Sequence, residues 1–126
     1  MENKKNWIIT AGVMGFLGVA IGAFGAHSLK DVLTEQTIKT FQTGVLYHLV
    51  HSAVLLALAL SNYKFKNSLI FITTGIILFS FSLYIYSITG IKFLAIVTPF
   101  GGVSFLLGWL FVILEALKGK NTTLLP

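Results

Sequence analysis

The chain has 126 residues, of which 56% are hydrophobic and 10% are charged, and it carries a formal net charge of +5. Because soluble domains carry about 25% charged residues, this composition excludes an ordinary water-soluble globular protein. The sequence has no cysteine, which excludes disulfides, zinc–thiolate sites and iron–sulfur clusters.

Four long apolar runs occupy most of the sequence. They predict membrane spans over residues of about 7–26, 44–61, 68–89 and 93–117. A helix rises about 1.5 Å per residue, so roughly 20 apolar residues cross a hydrocarbon core of about 30 Å. We therefore expect an all-α membrane protein in which residues 1–126 form a single domain, a bundle of four transmembrane helices.

The first apolar run is unusual for its glycines. At about 100° per residue, four of them lie within an arc of roughly 80° on one helix face, namely Gly15, Gly18, Gly22 and Gly25. Lipid chains are as apolar as leucine, so small residues hold spanning helices together by letting their backbones approach closely. The stripe predicts an internal packing seam, and a homodimer face is the alternative interpretation.

Residues 27–43 form the longest connection. Ser28 and Asp31 stand at the spacing of a helix N-terminal capping box. Leu29, Val32 and Leu33 share one side of a helical projection, whereas most charged residues of the segment lie elsewhere. We expect a short amphipathic helix in the outer interface of the membrane, between spans one and two and able to continue into span two.

The third run carries a stripe of hydroxyl groups. Thr73, Ser80, Tyr84 and Ser87 fall within about 60° of one another and are expected to face the bundle, since polar groups avoid lipid. Residues 90–92 leave so short a connection that the third and fourth helices must be antiparallel neighbours.

The fourth run contains Pro99, followed by Gly101 and Gly102. Proline removes a backbone donor and clashes with the preceding helical turn. We expect a kink or local unwinding near the outer third of this span, shielded from lipid because the freed carbonyls need partners. Thr98 and Trp109 are predicted to lie on its inward side.

The basic residues are all lysines, and they flank the apolar runs. Six lie on the side that holds both termini and the connection between spans two and three, and three lie on the other side. Because positive residues concentrate in cytoplasmic loops, both termini are predicted to be cytoplasmic. The same placement indicates membrane lipids as partners and argues against nucleic acid.

The histidines are the only residues that resemble a reactive group. His27 ends the first span, and His48 and His51 lie at i and i+3 near the start of the second. The predicted spans put all three at a similar depth in the outer third of the membrane, near Tyr84 and Thr98. A charged group there costs about 2.5 kcal/mol or more, so neutral, inward-facing, hydrogen-bonded imidazoles are expected.

Three uses of this polar cluster remain open. It can be a structural lock, in which imidazoles and hydroxyls bond across helices. It can be a metal or haem site, in which His48 and His51 share a metal that His27 completes. It can also be a proton, quinone or small-ligand pocket that uses His51, Tyr84 and Thr98. There is no nucleophile–base pair, phosphate-binding loop or carboxylate pair, so neither catalysis nor a cofactor is predicted.

Four short groups of residues resemble the sequence pattern of a known protein family. They are GAFGAH at 22–27, TGV at 43–45 with Tyr47 and His51, FS at 79–80 with SLY at 82–84, and TP at 98–99 with Gly101, Gly102, Phe105, Gly108 and Trp109. In this order and spacing they resemble the YgdD/YwdK family of small four-helix bacterial inner-membrane proteins, a domain of unknown function.

The resemblance covers nearly the whole chain and implies four spans in the bacterial cytoplasmic membrane, with no established reaction. It maps the recurring polar residues of the family onto His27, Tyr47, His51, Tyr84 and Thr98, and the small ones onto Gly22, Gly25, Gly44, Gly101, Gly102 and Gly108. Two positions depart from the pattern. His48 stands where glutamine is frequent in the family, and Phe81 stands where glycine is common.

These observations predict a non-enzymatic integral membrane protein that supports membrane integrity or a partner membrane complex. Its partner can be another membrane protein or further copies of the same chain. The alternative is a transporter or redox subunit that handles a ligand, a quinone or protons. The candidate ligand-binding cluster of that alternative is His27, Tyr47, His48, His51, Tyr84 and Thr98.

Overall fold

The computed structural model describes residues 2–120, and of Glu2 it describes only the main chain. Most of these residues lie in four long helices. They are α1 (Glu2–Ser28), α2 (Glu35–Leu60), α3 (Lys66–Thr89) and α4 (Lys92–Leu117). Each is long and apolar enough to cross a membrane, and no helix or strand of comparable length is found elsewhere in residues 2–120. The predicted all-α bundle of four membrane helices is confirmed.

The helices pack in chain order, α1 along α2, α2 along α3, and α3 along α4. Leu55, Ile72 and Ile76 are completely buried between them. The outward faces keep large apolar side chains, such as Phe16 at 75% exposure and Leu106 at 70%. Such an apolar surface is suited to contact with the hydrocarbon chains of lipids. The core cluster around the buried residues comprises Ala11, Leu55, Ala59, Phe65, Leu69, Ile72, Ile76 and Phe105.

The connection between α1 and α2 differs from the prediction. Ser28 is the last residue of α1, not the start of a new helix, and residues 29–34 form a turn. The Thr34 hydroxyl accepts a hydrogen bond from the Thr37 N–H and caps α2, as threonine does at helix N-termini. The prediction of a separate interfacial helix is therefore wrong. Residues 35–43 are the first turns of α2, and buried Phe41 holds them against the bundle.

The irregular part of the α3–α4 pair lies in α3, not in α4. α4 is continuous through Pro99, so the predicted unwinding is wrong. Pro99 is exposed, so the predicted shielding from lipid is wrong as well. α3 instead contains a π-helical turn at Ile76–Phe81 between two α-helical segments, Lys66–Gly75 and Ser82–Thr89. A π-helical turn widens a helix locally, and such turns are rare.

Polar groups of α3 face inward as predicted. Ser80, Tyr84 and Ser87 are buried and Thr73 is partly buried. α3 ends at Gly90, whose φ of 71° is the left-handed conformation that glycine adopts at helix C-termini. This turn sends the chain directly into α4, so the two helices are antiparallel neighbours.

Candidate functional site

His48 lies at the middle of α2 and joins three helices. Its Nε2 is 2.7 Å from the Met14 carbonyl oxygen of α1, and its Nδ1 is 2.8 Å from the Tyr84 hydroxyl of α3. A carbonyl can only accept, so Nε2–H donates to Met14 and Nδ1 of the neutral ring accepts from Tyr84. The His48 ring is fully buried.

Two glycines make room for this chain of hydrogen bonds. A Cβ on Gly18 would lie 3.2 Å from the His48 ring and 2.8 Å from Leu49 Cδ2, so a larger residue would hold His48 away from the α1 backbone. A Cβ on Gly44 would lie 2.9 Å from the Tyr84 ring. Close approach of both neighbours to α2 therefore depends on residues without side chains.

His51 joins α2 to α4. Its Nδ1 is 2.8 Å from the Tyr47 carbonyl oxygen, and the indole N–H of Trp109 donates to its Nε2 at 3.0 Å. Because Trp109 can only donate, Nε2 must be an acceptor, so the His51 proton is on Nδ1 and the ring is neutral. The ring also stacks on Phe105 with centroids 3.9 Å apart.

The two histidines point in different directions from one helix. Residues three positions apart on an α-helix are separated by about 60° around its axis. His48 thus reaches α1 and α3, whereas His51 reaches α4. Through these two imidazoles, α2 is hydrogen-bonded to each of the other three helices.

Tyr47 lies on the rim of this cluster. Its carbonyl oxygen accepts a hydrogen bond from the His51 Nδ1–H, while its ring packs against Phe79 with centroids 4.7 Å apart. The Tyr47 side chain is 40% exposed, so it lies on the lipid-facing rim of the α2–α4 contact. Its hydroxyl makes no hydrogen bond within residues 3–120.

The structure does not bring His27 or Thr98 to the histidines of α2. His27 is exposed near the end of α1, nine residues beyond Gly18 and roughly 14 Å further along the axis. The common depth predicted for the three histidines is therefore wrong, because α2 begins at Glu35 and has His48 at its middle, whereas His27 lies at the end of α1. Thr98 instead meets the Ser82 hydroxyl at 2.6 Å in the α3–α4 contact.

The predicted metal, haem and ligand uses need free imidazole nitrogens. All four nitrogens of His48 and His51 have protein partners. Within residues 3–120, no three histidine or carboxylate side chains come together as a metal site requires. Binding at either nitrogen of His48 or at Nε2 of His51 would first have to break a contact between helices, and binding at Nδ1 of His51 would have to break its bond to the Tyr47 carbonyl.

The predicted packing glycines differ in what they face. In α1, a Cβ on Gly22 would lie 3.0 Å from Val45 Cγ1, one on Gly25 would overlap the Phe41 ring, and one on Gly15 would only touch Ser52 at 4.0 Å.

In α4 the approach is closer. A Cβ on Gly101 would overlap the backbone of Leu78 and Phe79 in the π-helical turn, and one on Gly108 would lie 2.5 Å from Ile72 Cγ1. Gly102 has no such contact, since its Cβ would be 4.0 Å from the Phe79 ring.

Sequence reasoning missed one buried polar contact at the other end of the bundle. Glu115 of α4 is only 6% exposed, and its carboxylate accepts from the Asn67 N–H at 3.0 Å and the Ser68 N–H at 2.9 Å. The Ser68 hydroxyl donates to it at 2.6 Å. A carboxylate at a helix N-terminus satisfies free N–H groups and opposes the helix dipole. Glu115 therefore caps α3 from a neighbouring helix.

The signal that could have found this cap is the isolation of the acid. Glu115 is the one acidic residue of α4, and α3 begins without a side-chain cap of its own. A lone carboxylate in a membrane helix needs a partner, and Lys118, one turn further along the chain, makes no ion pair with it within residues 3–120. The partner is the backbone of α3.

Comparison with known proteins assigns the family. Residues 21–102 match the family model described as a protein of unknown function, DUF423. The chain is 37% identical over 121 residues to the membrane protein YwdK of Bacillus subtilis, covering 90% of this chain and 98% of YwdK. It is 38% identical over 119 residues to the inner membrane protein YgdD of Escherichia coli, covering 90% and 91%.

A membrane protein of Haemophilus influenzae is 34% identical over 122 residues, with 94% of this chain and 98% of the relative covered. No solved structure matches the chain. The matches extend from α1 to α4, and the relatives are named as membrane proteins. The chain therefore belongs to the DUF423 family of membrane proteins, as its residue pattern predicted.

Proposed function

We propose that this chain is a non-enzymatic inner-membrane protein that supports the membrane or a membrane-protein complex, and that its histidines are structural. One observation carries the proposal. All four ring nitrogens of His48 and His51 are already hydrogen-bonded, three of them to another helix and His51 Nδ1 to the Tyr47 carbonyl of its own helix. A catalytic or ligating imidazole needs at least one nitrogen directed at a substrate, a metal or a proton path.

The chemistry of the partners supports a structural role further. The Trp109 N–H points at His51 Nε2, and two N–H groups repel when they point at one another. Proton uptake by His51 would replace an attractive contact by a repulsive one and open the α2–α4 contact. A proton relay through this ring would therefore have to separate two helices at every cycle.

The proposed orientation places both termini in the cytoplasm. α1 begins, α2 ends, α3 begins and α4 ends at one end of the bundle, which holds six lysines by sequence. Three lysines, Asp31 and Glu35 lie at the other end. The excess of positive charge favours the six-lysine end as the cytoplasmic one.

The experiment replaces His51 by leucine in the full-length protein and combines native mass spectrometry with unfolding in detergent. We expect the mass of any bound ligand to be the same in the variant as in the native protein. We also expect the free energy of unfolding to fall by roughly 0.6 kcal/mol, the average for a hydrogen bond between membrane helices. His27→Leu is the matched control, because His27 is exposed, and it is expected to change neither quantity. A stoichiometric haem, metal or quinone that is present in the native protein and lost in His51→Leu would overturn the proposal.

A further inference from the structure

The end of the bundle where α3 begins and α4 ends contains a cavity of about 550 Å³. An antiparallel bridge between Tyr63 and Lys120 joins the α2–α3 turn to the segment after α4. This bridge brings lysines from two separate parts of the chain around one space. The lysines that line it are Lys64, Lys66, Lys118 and Lys120.

The carboxylate at this cavity is already engaged. Glu115 lines the cavity, but both its oxygens accept hydrogen bonds from the N-terminus of α3. Within residues 3–120, the ion pair that forms joins Lys39 to Glu35 at the opposite end of the bundle. The four lysines therefore line the cavity without an ion pair to a carboxylate among these residues, and a cavity lined by several positive charges favours an anion.

The position of the cavity indicates what the anion is. The cavity lies just beyond the apolar parts of α3 and α4. Tyr63 and Phe65 flank Lys64 in the sequence, and their rings stack with centroids 5.7 Å apart. Aromatic and lysine side chains at the ends of spanning helices lie at the level of the lipid headgroups. Basic pockets between membrane helices at this depth suit phosphate-bearing headgroups.

We propose that this lysine cavity binds a phosphate-bearing anion and that its source is the headgroup of an anionic phospholipid. The volume suits one small polar group, since ligand sites usually occupy about 300–1,000 Å³. All four lysines are exposed and can therefore turn their ammonium groups toward a phosphate. The site does not depend on the role of the histidines.

The experiment titrates the full-length protein in detergent with phosphatidylglycerol and with phosphatidylcholine, and counts bound lipid by native mass spectrometry. We expect one tightly bound phosphatidylglycerol and much weaker binding of phosphatidylcholine. The double variant Lys64→Gln with Lys118→Gln is expected to weaken phosphatidylglycerol binding roughly tenfold or more. Lys64→Arg with Lys118→Arg keeps both charges and is expected to keep the lipid.

The matched control removes the same charge at the same end of the bundle but outside the cavity. Lys4→Gln with Lys5→Gln, at the start of α1, is expected to change the affinity by no more than about twofold. Thermal unfolding of each variant shows whether the fold is retained.

Three results would overturn the proposal. The first is equal affinity for phosphatidylcholine, and the second is an equal loss of affinity in the Lys4/Lys5 variant. The third is binding of inorganic phosphate without binding of phosphatidylglycerol, which would show that the anion does not come from a lipid.

Discussion

The α1–α2 and α3–α4 pairs are both antiparallel and both rely on glycines, yet they are built differently. In α1–α2 the glycines face side chains, namely Val45 Cγ1 opposite Gly22 and the buried Phe41 ring opposite Gly25. In α3–α4, Gly101 faces the backbone of the π-helical turn itself. A side chain can rotate away from an added methyl group, whereas a backbone cannot.

The hydrogen bonds between the helices follow the same division. The α3–α4 pair has the Glu115 cap, the Ser82–Thr98 contact and a bond from the Ser104 hydroxyl to the Phe71 carbonyl at 2.7 Å. The α1–α2 pair has the bond from His48 to the Met14 carbonyl. We infer that α3–α4 is the rigid half of the molecule and that α1 is the more tolerant helix.

The strongest way to break the rigid half is to add one methyl group at Gly101. Gly101→Ala is expected to cost about 2–3 kcal/mol, because the new Cβ meets the Phe79 backbone and forces the helices apart. Unfolding in detergent or bicelles measures the loss. The neighbouring Gly102→Ala is the control and is expected to be neutral or slightly stabilising, since its Cβ has room. Equal losses in the two variants would contradict the close contact.

The second prediction concerns the cap between α4 and α3. Glu115→Ala leaves the two backbone N–H groups and the Ser68 hydroxyl without their acceptor, so we expect a loss of roughly 2 kcal/mol. Glu115→Gln keeps one acceptor oxygen and is expected to lose less. Hydrogen exchange at the first turn of α3 locates the effect. Unchanged protection there would argue against the cap.

The third prediction tests the connection to α1. His48→Leu removes one bond to α1 and one to α3, and we expect a loss of about 1–2 kcal/mol from two membrane hydrogen bonds. His48→Gln, which restores a donor and an acceptor, is expected to recover part of it. Unfolding of both variants provides the comparison, and a glutamine variant no better than leucine would argue against the hydrogen bonds.

The smallest effect is expected in the tolerant pair. Gly22→Ala brings a methyl group to 3.0 Å from Val45 Cγ1, and the gain in helix propensity offsets part of the crowding. We expect a change within about 0.5 kcal/mol in either direction. The same unfolding assay measures it against Gly101→Ala. A loss as large as that of Gly101→Ala would remove the distinction between the two halves.

Composition predicted the four helices well because the hydrophobic requirement acts on about 20 consecutive residues at once. It failed where the outcome depends on a few contacts. The start of α2 at Glu35 depends on the Thr34 cap and on Phe41, both within a polar segment. The π-helical turn packs its backbone against Gly101 of α4, and a contact with another helix leaves no pattern in the sequence of α3 itself.

Only part of the candidate site could be predicted, because contacts between two helices do not follow from the sequence of either one. Helical spacing put His48 and His51 on α2 and turned Tyr84 inward, whereas Trp109, which was also predicted to lie inward, is 43% exposed although its indole N–H reaches His51. Spacing does not give the rotation of one helix against another, which decides that Trp109 meets His51 and Tyr84 meets His48. The Glu115 cap joins residues 47 positions apart; the isolation of this acid in α4 indicates that it needs a partner, but not that the partner is the start of α3.

The most direct test of the central claim is nitrogen-15 NMR of the protein labelled at its histidine rings and reconstituted in lipid. A structural role for the histidines requires two neutral rings of opposite tautomer, with the proton on Nε2 in His48 and on Nδ1 in His51. We expect those two patterns, and His51→Leu removes the second of them. A doubly protonated His48 or His51 ring, or a nitrogen of either ring shifted by a bound metal or haem, would contradict the account.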